Sequence, residues 1–252
     1  MKIVDVLAAL ALPASAMVDQ RVPKSLLSEN GASTAADRRL IREDVERVQW
    51  HAALKPLTIG VPAFQDSDRD YQEIAVVTLN LRPAANVARL VELTHRAIPY
   101  PVVLVIEQSV EVSISLVHKR TSHADHDSTV LDGESRTVKL DKELGPDHLC
   151  RFLESLALSQ QPHTSLYDLY QGWIDATVSL QAAAITGKLE AANDPAHAVR
   201  RRKALQQCHV LQLEMASLRS EAIKTKQMAR RADFNLQIQQ LKLAYDDARA
   251  QL

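Results

Sequence analysis

The stretch Tyr100–Arg120, YPVVLVIEQSVEVSISLVHKR, decides the fold. Its first half is rich in β-branched residues, which favour strands. Its second half alternates, with Val110, Val112, Ile114 and Leu116 on one face, the period of a half-buried strand. Only a short Gln-Ser link separates the two halves. Strands joined so tightly form a hairpin, so the sheet is mixed or antiparallel and not doubly wound.

Working outward, Gln72–Arg82 (QEIAVVTLNLR) reads as a buried strand and Asn86–Ile98 as an amphipathic helix. Ser135–Asp141 is a fourth strand. Thr34–Leu54 reads as a helix whose apolar face is Leu40, Ile41, Val45, Val48 and Ala52, with Trp50 beside it. Arg21–Thr34 reads as extended chain around Pro23 that ends in a Gly turn. Leu57–Pro62 is a short strand and Gln65–Asp70 a polar turn. At the N-terminus, a lysine, an apolar run and an Ala-Ser-Ala end are those of a short signal peptide. Asp5 interrupts that run, and Ile3, Val6, Leu7 and Leu10 recur at helical spacing, which marks a buried helix face instead.

From Pro146 the chain turns helical. Gly145–Leu158 and Ser165–Ile185 are helices, the second with Leu166, Leu169, Trp173, Ile174 and Val178 on its apolar side. Asp194 can cap the last helix and Pro195 fits its first turn. Cys208, Leu211, Met215, Leu218, Ala222, Thr225 and Ala229 alternate three and four apart, as do Phe234, Ile238, Leu241, Tyr245, Ala248 and Leu252. Ala229 to Phe234 is a step of five, so the seams are offset: two coiled-coil segments with a register break. The expected fold is α+β. A mixed or antiparallel sheet with flanking helices fills residues 1–145, and residues 146–252 form a helical region ending in a long coiled-coil helix.

Composition bounds the function. Aromatics are 4% of 252 residues, so aliphatic side chains carry the packing. The two cysteines, Cys150 and Cys208, form no CxxC pair and supply neither a zinc cage nor a disulfide framework, which fits a reducing cytoplasm. No apolar stretch approaches the ~20 residues that cross a bilayer, so no membrane partner is expected. The phosphate-binding GxxxxGK[ST], dinucleotide-binding GxGxxG and nucleophile GxSxG patterns are absent from the sequence. His118, His123 and His126 with Asp125 and Asp127 are metal-ligand types, but they read as a hydrophilic loop between strands, and no metal or cofactor is assigned. His51 and His95 are isolated helical histidines, read as packing or surface residues. No catalytic residue is assigned.

Charge is the informative feature. Pro195–Arg231 holds nine bases and two acids, a net +7 that leaves −8 for the rest of the chain. Such asymmetry suggests an interaction arm. The candidate nucleic-acid or partner-binding residues are Arg200, Arg201, Arg202, Arg219, Lys224, Lys226, Arg230 and Arg231, joined by Lys24, which Pro23 holds in a rigid turn as Pro56 does Lys55. Arg200 and Lys224 lie about 36 Å apart on a continuous helix, long enough to meet several phosphates. The arm lacks aromatics that stack on bases, and a solvated coiled-coil surface accounts for the same charges.

Leu12–Thr34, Asp37–Pro62, Ile98–Val105 and Ile223–Lys242 (IKTKQMARRADFNLQIQQLK) resemble, in order, a bacterial family, domain of unknown function 4391. The Arg-Val-Pro-Lys element, the run Trp50–Pro56 and the basic C-terminal helix carry the likeness, while the His-rich loop and Ser159–Arg202 diverge. The resemblance implies a cytoplasmic bacterial protein without a signal peptide. Genes of the family it resembles often lie beside Swi/Snf-type helicases and DNA methyltransferases, so the resemblance implies a restriction-like or antiphage defence setting. The expectation is an accessory or adaptor protein that binds a helicase or methyltransferase partner, itself or DNA through the basic helix. The alternatives are a divergent metal-dependent nuclease, for which a clean Asp/Glu-x-Lys is missing, and a structural coiled-coil homo-oligomer.

Overall fold

A computed structural model describes residues 1–122, 128–141, 144–190, 194–225 and 227–252; of Glu134 and Pro195 only the backbone is described. The chain divides into two compact units, Met1–Thr177 and Val178–Leu252.

Unit 1 is built on a six-stranded sheet in the order β1 (Met17–Arg21), β2 (Val45–Leu54), β5 (Ile74–Leu81), β6 (Val102–Gln108), β7 (Glu111–Thr121), β8 (Thr129–Lys139). Strands β3 (Phe64–Gln65) and β4 (Asp70–Tyr71) form a separate two-stranded ribbon. Only β5 and β6 run parallel, connected through helix α5 (Val87–Ala97); the remaining neighbours are antiparallel. The β6–β7 hairpin turns through Ser109 and Val110, with Ser109 in the left-handed region (φ 59°).

One sheet face packs under helices α2 (Lys24–Gly31), α3 (Ala35–Asp44) and α5, where Leu27, Ile41, Leu90 and Leu93 bury Val48, Val77, Leu79 and Leu104. Thr34 caps α3 through the Asp37 N–H, and Asn86 caps α5 through the Arg89 N–H. Gly31 permits the close approach of α2 to α5: a Cβ there would lie 2.4 Å from the Leu93 carbonyl oxygen. Elsewhere in the unit, helix α1 (Ile3–Ala9) meets β6 and helix α6 (Pro146–Ser155). Tyr170, on helix α7 (Leu166–Thr186), bonds the Val102 carbonyl at 2.8 Å and accepts from the Val117 N–H at 3.1 Å. Trp173 is fully buried and donates to the Leu156 carbonyl. Helix α6 and the start of α7 therefore belong with the sheet, and unit 1 ends at Thr177 and not near residue 145.

Three sequence expectations need correction. Thr34–Leu54 is not one helix: α3 ends at Asp44 and β2 begins at Val45. The register against β5 slips between Val45 and Arg47 and again between Trp50 and Ala52. Each slip inserts an extra residue, and the buried apolar positions Val45, Val48 and Ala52 step by three and four. Those wide steps imitate a helix period. Second, Arg21–Thr34 is not extended throughout; Pro23 is, but α2 follows it directly. Third, Leu57–Pro62 is no strand: Pro56 opens a single helical turn, α4 (Pro56–Ile59), which the left-handed Gly60 closes.

Unit 2 contains the end of α7 with helices α8 (Pro195–Lys224) and α9 (Met228–Arg249). Asp194 accepts from the His197 N–H and caps α8. The chain does not continue as one long helix. Helix α8 ends at Lys224, and α9, from Met228, folds back along it. The bond from Gln212 to the Tyr245 hydroxyl, 3.1 Å, fixes the antiparallel sense. The two heptad seams face each other within this hairpin: Cys208, Met215 and Ala222 are buried, and Phe234, Ile238 and Leu241 are half-buried.

Candidate functional site

The hairpin sorts the sequence-predicted bases by environment. Arg200, Arg219, Lys224, Arg230 and Arg231 are exposed. Among the described residues none of these five forms an ion pair. Arg202 is half-buried. Lys226 lies outside the described residues. Arg201 must be removed from the binding surface: it is 2% exposed. Its Nε donates to the Leu252 main-chain oxygen at 2.9 Å, and its Nη1 donates to the Glu190 carbonyl and the Ser179 hydroxyl. A buried guanidinium without acceptors would be costly, and here its donors close unit 2 on itself. Lys24 belongs to unit 1, at the start of α2, where its Nζ donates to the Arg42 carbonyl at 3.3 Å. The elements thus gather Arg219, Lys224, Arg230 and Arg231 near the hairpin turn, leave Arg200 at the far end of α8, and set Lys24 in the other unit.

Unit 1 carries polar groupings that the sequence did not reveal. His51 is the extra residue of the second β2 slip, and Asp19 sits in the slip between Met17 and Gln20 of β1 with φ at 46°. Both irregularities aim the side chains at one another: His51 Nδ1 lies 3.1 Å from the Asp19 carboxylate, and its Nε2 lies 3.0 Å from the Thr78 hydroxyl on β5. The ionised carboxylate can only accept, so Nδ1 is the donor to it. Asn80 and Glu107 continue the polar row on β5 and β6, joined at 2.6 Å. The row draws on four strands, and no local motif links its members.

His118 lies in β7, stacked on Tyr167. Its Nε2 meets the Gln171 oxygen at 2.9 Å and its Nδ1 the Tyr71 hydroxyl at 2.6 Å. His123, Asp125, His126 and Asp127 lie outside the described residues. Lys119, next in β7, is buried, and its Nζ donates to the His95 and Ile98 carbonyls at the C-terminal end of α5. Burial holds the Lys119 amine down at about 7. Burial, then the Lys119 charge, holds the His95 imidazole down at about 3. A cleft of about 710 Å³ between α2, α5 and β8 is lined by Gly31, Ala88, Glu92, Arg96, Leu131 and Ser135, among others. Among the described residues, no three His, Cys, Asp or Glu side chains are gathered to hold a metal ion, and no helix is long and apolar enough to cross a membrane.

A mixed sheet with flanking helices and an exposed basic helical hairpin define this as an α+β protein. The chain belongs to the family described as Domain of unknown function (DUF4391), whose model matches residues 10–244. No curated protein and no solved structure matches it.

Proposed function

We propose that the protein is a non-enzymatic accessory or adaptor of a bacterial restriction-like or antiphage system that acts in the cytoplasm. It grips a polyanion, DNA in the first instance, through the basic hairpin. The observation that carries this reading is the set of five exposed bases, Arg200, Arg219, Lys224, Arg230 and Arg231, with no ion pair among the described residues. Cations left unpaired remain free to displace counterions from a phosphate backbone. The defence setting and a helicase or methyltransferase partner rest on the family resemblance alone. Fluorescence anisotropy with duplex DNA across a salt series tests the grip. Replacing Arg219, Lys224, Arg230 and Arg231 with Ala should reduce the slope of log affinity against log salt by about 3–4, near 0.9 for each lost phosphate contact. An unchanged slope would remove this surface from the contact.

A second reading has its own support. Val210, Leu213, Leu236 and Leu243 are exposed on the hairpin, away from its buried seam, and would suit coiled-coil self-association. Light scattering decides it: a concentration-independent monomer mass eliminates the structural oligomer.

A further inference from the structure

We propose that helix α8 lies along one turn of duplex DNA, with the bases at its two ends on successive passes of the phosphate backbone. This rests on the reading of the hairpin as a polyanion grip and adds which polyanion it takes and how it is held.

The solvent-facing bases of α8 come in two groups. Arg200, Arg202 and Lys203 stand near its start, and Arg219 and Lys224 near its end, where α9 adds Arg230 and Arg231. Between Lys203 and Arg219 the sequence has no Lys or Arg, and the interval carries an acid, Glu214. A continuous track for a flexible polyanion would not be interrupted in this way. One base of each group also shares a face with the other. Lys203 and Lys224 are both exposed and stand three heptads apart on an unbroken helix. They therefore hold the same heptad position, with Val210 and Ser217 between them. Among the described residues neither lysine forms an ion pair.

The separation of the two lysines identifies the partner. At about 1.5 Å per residue, three heptads span about 32 Å. One turn of B-form duplex advances about 34–36 Å. A rod laid along a duplex meets the same backbone strand once per turn, so Lys203 and Lys224 reach phosphates on successive passes. The interval with Glu214 then lies over the grooves, away from those two phosphates. A free single strand holds its phosphates at no fixed distance and is gripped by stacking on rings. Phe234 and Tyr245, the Phe and Tyr of α8 and α9, are half-buried, and the Tyr245 hydroxyl is tied to Gln212. The hairpin is thus spaced for a duplex and not furnished for unpaired bases.

The experiment measures salt-dependent binding of the full chain to two stem-loop duplexes, of about 6 and about 16 base pairs, one shorter and one longer than the span at about 3.4 Å per base pair. Lys203→Ala should lower the slope of log affinity against log salt by about 0.9 on the longer duplex. It should leave the slope on the shorter one unchanged, because the larger group near the turn holds that duplex and Lys203 is out of reach. Lys242→Ala, which removes an exposed base of α9 between the two ends, is the control for charge alone and should leave both slopes as they are. Both positions are exposed, and coincident thermal melts confirm that the variants are folded. Failure of the wild type to bind either duplex at low salt sinks the polyanion reading itself. Binding in which Lys203→Ala has no effect, or the same effect on both lengths, sinks the one-turn span and leaves the grip. So does an equal loss of slope from Lys242→Ala. Competition by heparin or polyglutamate as strong as that of the longer duplex shows that charge and not spacing selects the partner, and overturns the proposal.

Discussion

In the sheet unit, buried carboxylates are matched by bases; near the hairpin turn, the bases face water. Among the described residues, the ion pairs all lie in unit 1. The buried Asp37 is clamped by Arg89 at 2.8 Å, and the buried Glu73 by Lys55 at 2.9 Å. The bonds from Arg89, then from Thr34, pull the Asp37 carboxyl down to about 2. In unit 2 the buried Arg201 is held by main-chain and hydroxyl oxygens. The other bases near the turn face water beside exposed Ile223 and Met228. That difference is why recognition by the hairpin is proposed and why the stability tests start from the sheet.

The comparison is broken most strongly from the sheet side. Trp173→Ala removes a fully buried ring and its bond to the Leu156 carbonyl, and should cost about 3–5 kcal/mol in urea unfolding. Next comes pH. The unfolded Lys119 amine holds its proton up to about 10.5, while the folded one releases it near 7. Between those values the unfolded chain binds more protons, so stability should rise as pH climbs from 7 to 10. His95 adds a rise between about 3 and 6.5 for the same reason. Unfolding midpoints across pH check both, and Lys119→Met should flatten the alkaline rise. Gly31→Ala is smaller, about 1–3 kcal/mol, because its Cβ meets the Leu93 carbonyl oxygen and the helices must part.

These effects also separate what the sequence discloses from what it hides. Strands β5, β6 and β7 and helix α5 were legible because their apolar periods are unbroken. Strand β2 was not: its two slips spread the core positions to helical spacing, and no local signal marks a slip. The same slips present His51 to Asp19 and Thr78, so the strand that was misread is also the one whose polar site went unseen. On the hairpin the composition disclosed the bases and their clustering. It did not disclose which base is buried, because Arg201 is enclosed by the folding back of α9 along α8, which brings Leu252 beside it. The offset between the two seams, Ala229 to Phe234, falls inside α9, a few residues after the helices break, and a register change and a fold-back share the same sequence pattern.

The smallest expected effect tests the hairpin side of the comparison. Leu236 and Leu243 lie seven residues apart on α9, 57% and 69% exposed, and they make no part of the buried seam. If unit 2 keeps its stability in the seam and reserves its outer surface for recognition, Leu236→Ser and Leu243→Ser should each shift unfolding by no more than about 0.5 kcal/mol. Met215→Ala, inside the seam, should cost about 2–5 kcal/mol. Thermal melts at two protein concentrations complete the test. A loss above 1 kcal/mol in the serine variants that vanishes on dilution would show that a second copy covers those leucines. The surface would then be an interface between copies, and the basic turn the only part of the hairpin left for another partner.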